Sequence, residues 1–195
     1  MAIGIYGGTF SPIHYGHINA ARSFIEQCGI TRLYVVPAAI PPHKRIDYSD
    51  NPNVRYEMVK LAFEPDTDIT VSDFEIKSAE PSYTVNTLTH FKNLLNEELV
   101  FLCGADMFIT LDKWRKSEEI FKLAKIAYVD RDNINTADKA EFYRQNYNAD
   151  IAAIKMPCVD ISSTELREMI AENKDVSEYM PLSVMEFIKS HDLFI

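Results

Sequence analysis

Short, continuous apolar runs alternate along this chain with longer stretches of helical period. The runs are Ala2–Tyr6, Leu33–Pro37, Leu99–Cys103, Ile126–Asp130 and Ile151–Met156. Each has strand length and is apolar at successive positions, as expected for strands covered on both faces. Between them the pattern predicts helices over Gly16–Gln27, Asn53–Phe63, Tyr83–Asn96, Ser117–Leu123, Thr136–Tyr147, Ser163–Ala171 and Pro181–Ser190. This alternation predicts an α/β fold: a doubly wound parallel sheet of about five strands, joined by right-handed crossovers, with helices on both faces.

Two segments resist the pattern. Ala38–Pro52 holds three prolines and reads as a long loop after a strand, where α/β folds place ligand contacts. Asp66–Pro81 contains ITVSDFEI, whose rough period-two alternation suits an edge strand feeding a loop. No internal repeat, low-complexity tract or Gly/Ser linker divides the sequence, so residues 1–195 read as a single domain.

Composition narrows the function classes. The chain is 47% hydrophobic and 25% charged, which excludes collagen-like and disordered classes. Its 20 Lys+Arg against 29 Asp+Glu give a net charge of −9, a poor basis for binding nucleic acid or an anionic membrane. Cys28, Cys103 and Cys158 form no C-x-x-C pair and read as reduced, mostly buried thiols. Without a signal-peptide pattern or a run of roughly 18 apolar residues, a soluble cytoplasmic protein is expected. The charge is uneven, however. Residues 1–45 carry Arg22, Arg32, Lys44 and Arg45 against Glu26, a net +3, while the remainder sums to −12. Three of the five histidines share the positive segment. A local positive stretch in an acidic chain points to a focused anion site.

The chemistry concentrates in Gly7-Gly8-Thr9-Phe10-Ser11-Pro12-Ile13-His14-Tyr15-Gly16-His17. Two glycines after a strand let backbone approach a ligand, and a helix starting near Gly16 turns its free N–H groups to the same space, an anion site. The string is neither a P-loop nor G-x-G-x-x-G. His14 and His17, three apart, lie on one side of a helical turn and can reach one phosphate; they can equally be structural caps. Near the other end, Ile161-Ser162-Ser163-Thr164-Glu165-Leu166-Arg167 has capping-box spacing at Ser162 and Glu165, with Arg167 one turn beyond Ser163. An ordinary well-capped helix would look the same.

Together these strings change the picture. GGTFSPIHYGH resembles the H-x-G-H signature of the nucleotidyltransferase superfamily, and ISSTELR resembles the element with which that superfamily holds a triphosphate. The related class I aminoacyl-tRNA synthetases are disfavoured, since the chain is short and has no K-M-S-K-S partner. Pro42-His43-Lys44, Ser82-Tyr83-Thr84-Val85-Asn86-Thr87-Leu88, Gly104-Ala105-Asp106, Trp114 and the terminal Pro181-Leu182-Ser183 region follow in order. From Gly4 to the C-terminus the chain is similar to the bacterial nicotinate-nucleotide adenylyltransferase family.

The resemblance implies a Rossmann-like fold and transfer of the adenylyl group of ATP to nicotinate mononucleotide. The products are nicotinate adenine dinucleotide and pyrophosphate, in NAD biosynthesis, with Mg²⁺ bound with ATP. It assigns Gly7, Gly8, Thr9, Phe10, His14, Gly16, His17, Gly104, Asp106, Arg131, Ile161, Ser162, Ser163 and Arg167 to ATP. Lys44, Ser82, Tyr83, Thr84, Val85, Asp106 and Trp114 fall to the acceptor, and His14, His17, Lys44 and Arg167 to catalysis, with no metal ligands. The family commonly has Arg-Pro-Gly after the fourth strand, where this chain reads Asp130-Arg131-Asp132-Asn133. His90 and His191 match no functional element. On residues alone, Ser82 reads as a simple N-cap and Trp114 as plain core packing.

Direct attack by the acceptor's phosphate oxygen on the α-phosphorus needs no nucleophilic side chain, so catalysis would consist of positioning and charge stabilisation. A carboxylate only accepts hydrogen bonds, so amides at a helix start around Tyr83–Val85 suit nicotinate better than nicotinamide. The rivals are an adenylyl- or cytidylyltransferase using nicotinamide mononucleotide or phosphopantetheine, and a non-catalytic nucleotide sensor. Partners expected are ATP and nicotinate mononucleotide, without nucleic acid or membrane; a homo-oligomer is left open.

Overall fold

The structure, a computed structural model, describes residues 2–42, 51–78, 80–130, 135–157 and 159–195. Six parallel strands form one sheet: β1 (Ala2–Gly8), β2 (Ile30–Pro37), β3 (Ile69–Val71), β4 (Glu98–Gly104), β5 (Ala124–Val129) and β6 (Ile151–Ile154), in the order β3-β2-β1-β4-β5-β6. All five expected strands are present. The sixth is β3, the edge strand suggested by ITVSDFEI, but only its first three residues pair with β2. The rest of that string turns into a one-turn helix, α3 (Phe74–Lys77), rather than a loop.

The expected helices appear as α1 (Tyr15–Cys28), α2 (Pro52–Phe63), α4 (Thr84–Leu95), α6 (Ser117–Leu123), α7 (Ala137–Tyr147), α8 (Ser163–Ala171) and α9 (Leu182–Ser190). Two further short pieces, α5 (Ala105–Phe108) and a 3₁₀ turn (Leu111–Lys113), follow β4. Asn51 caps α2 by accepting the Asn53 amide at 2.9 Å, and Pro52 opens that helix, where its missing N–H costs nothing.

Alternate residues of the central strands serve two cores. Ile3, Ile5, Leu99, Phe101, Ile126 and Tyr128 face the layer of α4, α6 and α7. Tyr6, Val100, Leu102, Ala127 and Val129 face the layer of α1, α2, α8 and α9. Burial on both faces explains why the strands read as unbroken apolar runs. No helix among the described residues is long and apolar enough to cross a membrane.

The strand order reverses direction at β1, whose neighbours β2 and β4 lead to opposite edges. The crossovers leave the carboxyl ends of β1 and β4 as the rim of a crevice, the position at which such sheets bind ligands.

Candidate active site

A cleft of about 1000 Å³ opens at that rim. Gly7 and Gly8 end β1 and Gly104 ends β4, and all three line it. From the α1/α8 side come Thr9, Phe10, His14, Gly16, His17, Ile161, Ser162, Ser163 and Arg167; from the α4 side come Ser82, Tyr83, Thr84 and Trp114, with Asp106 from α5. Residues up to 160 positions apart in the chain thus share one space. Val85 is the exception among the described candidates, since its side chain is buried in the core. Lys44 and Arg131 lie outside the described residues.

His14 is the N-cap of α1, and its Nδ1 accepts the Gly16 amide at 3.1 Å. A neutral imidazole that accepts at Nδ1 carries its proton on Nε2, which is then a donor. Gly16 makes this possible: a Cβ there would meet the His14 ring at 2.8–2.9 Å. The His17 ring follows one turn later with its centroid 3.9 Å from that of His14. It also meets Phe10 edge-on at 5.1 Å, and Phe10 in turn meets Tyr6 at 5.3 Å. Phe10 adopts φ 51°, which costs a residue bearing a Cβ roughly 1–2 kcal/mol. Burial of its ring offsets that cost, and at Gly8 a Cβ would strike the same ring at 2.6 Å. The Ser11–Pro12 peptide bond is cis.

The capping box of α8 forms as its spacing predicts: Ser162 Oγ accepts from the Glu165 amide at 3.2 Å, and Glu165 Oε2 accepts from the Ser162 amide at 2.8 Å and its hydroxyl at 2.6 Å. The Ser162 hydroxyl and amide hold the Glu165 carboxyl below the ordinary glutamate range. α8 is tied to the glycine loop by two bonds. Ser163 Oγ donates to the Pro12 carbonyl at 3.0 Å, and Arg167 Nη1 donates to that of Ser11 at 2.6 Å. Arg167 also donates to the Ser163 carbonyl and to Thr164 Oγ1.

On the other side, Ser82 fastens α4 to the start of the long loop. Its Oγ accepts the amides of Ala39 at 2.9 Å and Ile40 at 3.2 Å, and its own amide donates to the Ile40 carbonyl. The hydroxyl also favours the charged form of the nearby Glu75 carboxyl. Ser82 is therefore neither a free ligand donor nor a simple N-cap. Among the described residues no hydrogen bond takes up the amides of Thr84 and Val85, the first two of α4. Trp114 stands at the end of the 3₁₀ turn, 6.4 Å from Phe101 and steeply inclined to it, so the core reading is only half right: one side packs and the other lines the cleft.

Sequence reading missed two buried charges here. Arg55, 0% exposed, donates to the Thr9 carbonyl at 2.8 Å and the Ala39 carbonyl at 3.3 Å, so one guanidinium holds the glycine loop and the long loop together. Glu75 accepts from Thr87 Oγ1, and the Ser82 hydroxyl also favours its charged form. Burial pushes its carboxyl up from the ordinary glutamate value, against those hydroxyls and the charge of Arg55, which pull it down. A signal for Arg55 exists in the sequence, because it shares the apolar stripe of α2 with Met58, Val59 and Ala62. Arg115, which also lines the cleft, has none. His90 and His191 stack on Phe74 and Phe187 and do not line the cleft.

Among the described residues no group of three or more His, Cys, Asp or Glu could hold a metal ion. Mg²⁺ that arrives on a triphosphate keeps several waters and needs no such cage, and the exposed Asp106 carboxylate at the start of α5 fits a contact to one of those waters. Cys103 is buried, and burial pushes its thiol far up, as it does Cys28 to a lesser degree, so neither is poised as a nucleophile; Cys158 lies outside the described residues.

Known proteins share this architecture. The sequence model of the family described as cytidylyltransferase-like matches residues 5–169. The chain is 38% identical over 196 residues to a Caldicellulosiruptor saccharolyticus protein named "Probable nicotinate-nucleotide adenylyltransferase", covering 100% of this chain and 99% of the relative. A Clostridium botulinum (strain Okra) protein of the same name is 39% identical over 198 residues, with 97% of each covered. In three dimensions the chain resembles Plasmodium falciparum nicotinic acid mononucleotide adenylyltransferase complexed with NaAD, with TM-score 0.81 over 99% of this chain and 97% of that one. The same enzyme complexed with APC gives 0.78, over 99% and 96%. At 20% and 19% identity, these two likenesses speak to the fold.

Proposed function

The chain belongs to the cytidylyltransferase-like family, and from that premise we propose that it transfers the adenylyl group of ATP to nicotinate mononucleotide, releasing pyrophosphate. One observation carries the reading: a single cleft joins a phosphate-type wall, made by the glycine loop, the paired histidines and the start of α8, to an aromatic wall made by Tyr83 and Trp114. The family and the names of its full-length relatives agree with it.

In this reading the triphosphate lies along Gly7–Phe10 and the open end of α8, where backbone N–H groups and the helix dipole favour anions. The acceptor's phosphate attacks the α-phosphorus in line. The Nε2 proton of His14 and the ring of His17 are offered to the oxygens where charge builds, without reorganisation at the moment of reaction. Arg167 fixes the glycine loop against α8 and gives the site its positive charge, and Lys44 and Arg131 supply further cations. Mg²⁺ bound with ATP neutralises part of the triphosphate charge. The pyridine ring rests against Tyr83 and Trp114, and its carboxylate meets the open amides of Thr84 and Val85. Asp106 serves a ribose hydroxyl or a metal-bound water. Residues 1–195 act as one catalytic unit on small molecules in the cytoplasm.

The test is pyrophosphate release from ATP and Mg²⁺ with nicotinate mononucleotide, nicotinamide mononucleotide and phosphopantetheine offered separately. Release is expected with the first at the highest kcat/KM. Preference for another acceptor overturns the substrate assignment, and no release with any of the three overturns the enzymatic reading.

A further inference from the structure

Two arginines among the described residues line the cleft, and the chain uses them differently. Arg167 is spent within the protein, on the carbonyls of Ser11 and Ser163 and the hydroxyl of Thr164. Arg115 follows Trp114 on the opposite wall, with an exposed side chain whose guanidinium carbon lies 4.7 Å from the centroid of the Tyr83 ring. Among the described residues it has no hydrogen-bonding or carboxylate partner. Of the acids nearest in sequence, Asp112 is engaged with Lys139 and Tyr143 and Glu119 with Lys116, and among the described residues Glu118 makes no ion pair with Arg115. The contact with Tyr83 holds the cation in place without using its N–H donors.

Amide N–H groups at a helix start donate to the oxygen of a carboxamide almost as readily as to that of a carboxylate, so Thr84 and Val85 alone discriminate weakly. A charge that also donates hydrogen bonds discriminates more strongly, since only the carboxylate completes the ion pair. We propose that Arg115 is a specificity-determining residue of this cleft, selecting an aromatic ring that carries an anionic substituent over one that carries an uncharged amide. A flat ring resting against Tyr83 and Trp114 presents its substituent to the guanidinium held on Tyr83. The inference rests on the reading of the cleft as a nicotinate mononucleotide site and adds to it the origin of the acid preference.

The experiment compares wild type, Arg115→Gln and Arg115→Lys, measuring kcat/KM with nicotinate mononucleotide and with nicotinamide mononucleotide at saturating ATP. Arg115→Gln should lower the value for the acid roughly 10- to 100-fold, the usual weight of a charge-assisted hydrogen bond, and that for the amide by less than about twofold. Arg115→Lys should recover part of the loss, and the KM for ATP should stay unchanged in both. An equal fall for both acceptors, or none for the acid, overturns the role of Arg115 while leaving the enzymatic reading intact. A wild-type protein inactive on the acid overturns that reading and this inference together.

Discussion

The Nδ1 of His14 is occupied by the amide of Gly16, and the consequence reaches the far side of the ring, because the bond fixes both the tautomer and the direction of the remaining N–H. Capping a helix and facing a phosphate, two alternatives that the sequence left open, are compatible in one imidazole, since the cap uses Nδ1 and leaves Nε2 for the proposed phosphate contact. Gly16→Ala tests the coupling. Alanine in place of a helical glycine ordinarily stabilises by roughly 0.5–1 kcal/mol, yet its Cβ would occupy the space of the His14 ring. Because the displaced ring also gives up its cap, worth about 0.5–2 kcal/mol, a melting temperature close to or below wild type is expected, together with a kcat for pyrophosphate release reduced at least about tenfold, in line with loss of one positioned donor. An unchanged kcat would show that the position of the ring is immaterial. The residues that sequence reading missed are Arg55, whose place on the apolar stripe of α2 is its one signal, Glu75 and Arg115. The first two act from inside the protein through backbone carbonyls and hydroxyls, and the third through the Tyr83 ring just before α4, far from it in the chain.

Elements long enough to show a period were readable, and those of a single turn were not. α3, α5 and the 3₁₀ turn have four, four and three residues, too few to display a helical repeat. The last two nevertheless carry Asp106 and precede Trp114, so the piece hardest to read from sequence bears part of the site. Tyr143 of α7 anchors it. Its hydroxyl donates to the Phe108 carbonyl at 2.8 Å, accepts the Asp112 amide at 3.3 Å and lies 3.0 Å from Asp112 Oδ1. Burial would raise the Asp112 carboxyl, but the hydrogen bonds from Lys139 and Tyr143 outweigh it and hold Asp112 below its usual range. Tyr143→Phe leaves the Phe108 carbonyl unpaired in the core, a loss of about 1–3 kcal/mol. Thermal melts should register that loss, and KM should rise for the mononucleotide but not for ATP, since Trp114 loosens while the glycine loop does not. Equal rises in both would place the anchor's influence on the whole cleft.

At the scale of the molecule, the net charge of −9 is a poor basis for polyanionic partners and leaves the local chemistry of the cleft untouched. Global stability does respond to one internal charge. The folded state raises the carboxyl of Glu75, so between the ordinary glutamate pKa and that raised value the native protein binds more protons than the unfolded chain. Stability contributed by this group therefore falls as pH rises through that interval. Glu75→Gln removes the dependence, and its melting temperature relative to wild type should increase with pH above the ordinary glutamate range and then level off; a difference that stays flat with pH would refute the assignment. The ties between α8 and the glycine loop bear on how the protein is made. Ser163 and Pro12 are 151 positions apart, and Arg167 and Ser11 are 156. At roughly 5–20 residues per second, the ribosome releases the glycine loop about 8–30 s before the helix that closes it. Until α8 emerges, the growing chain holds only one wall of the proposed triphosphate seat, and the two walls close on each other late, long after the glycine loop has left the ribosome.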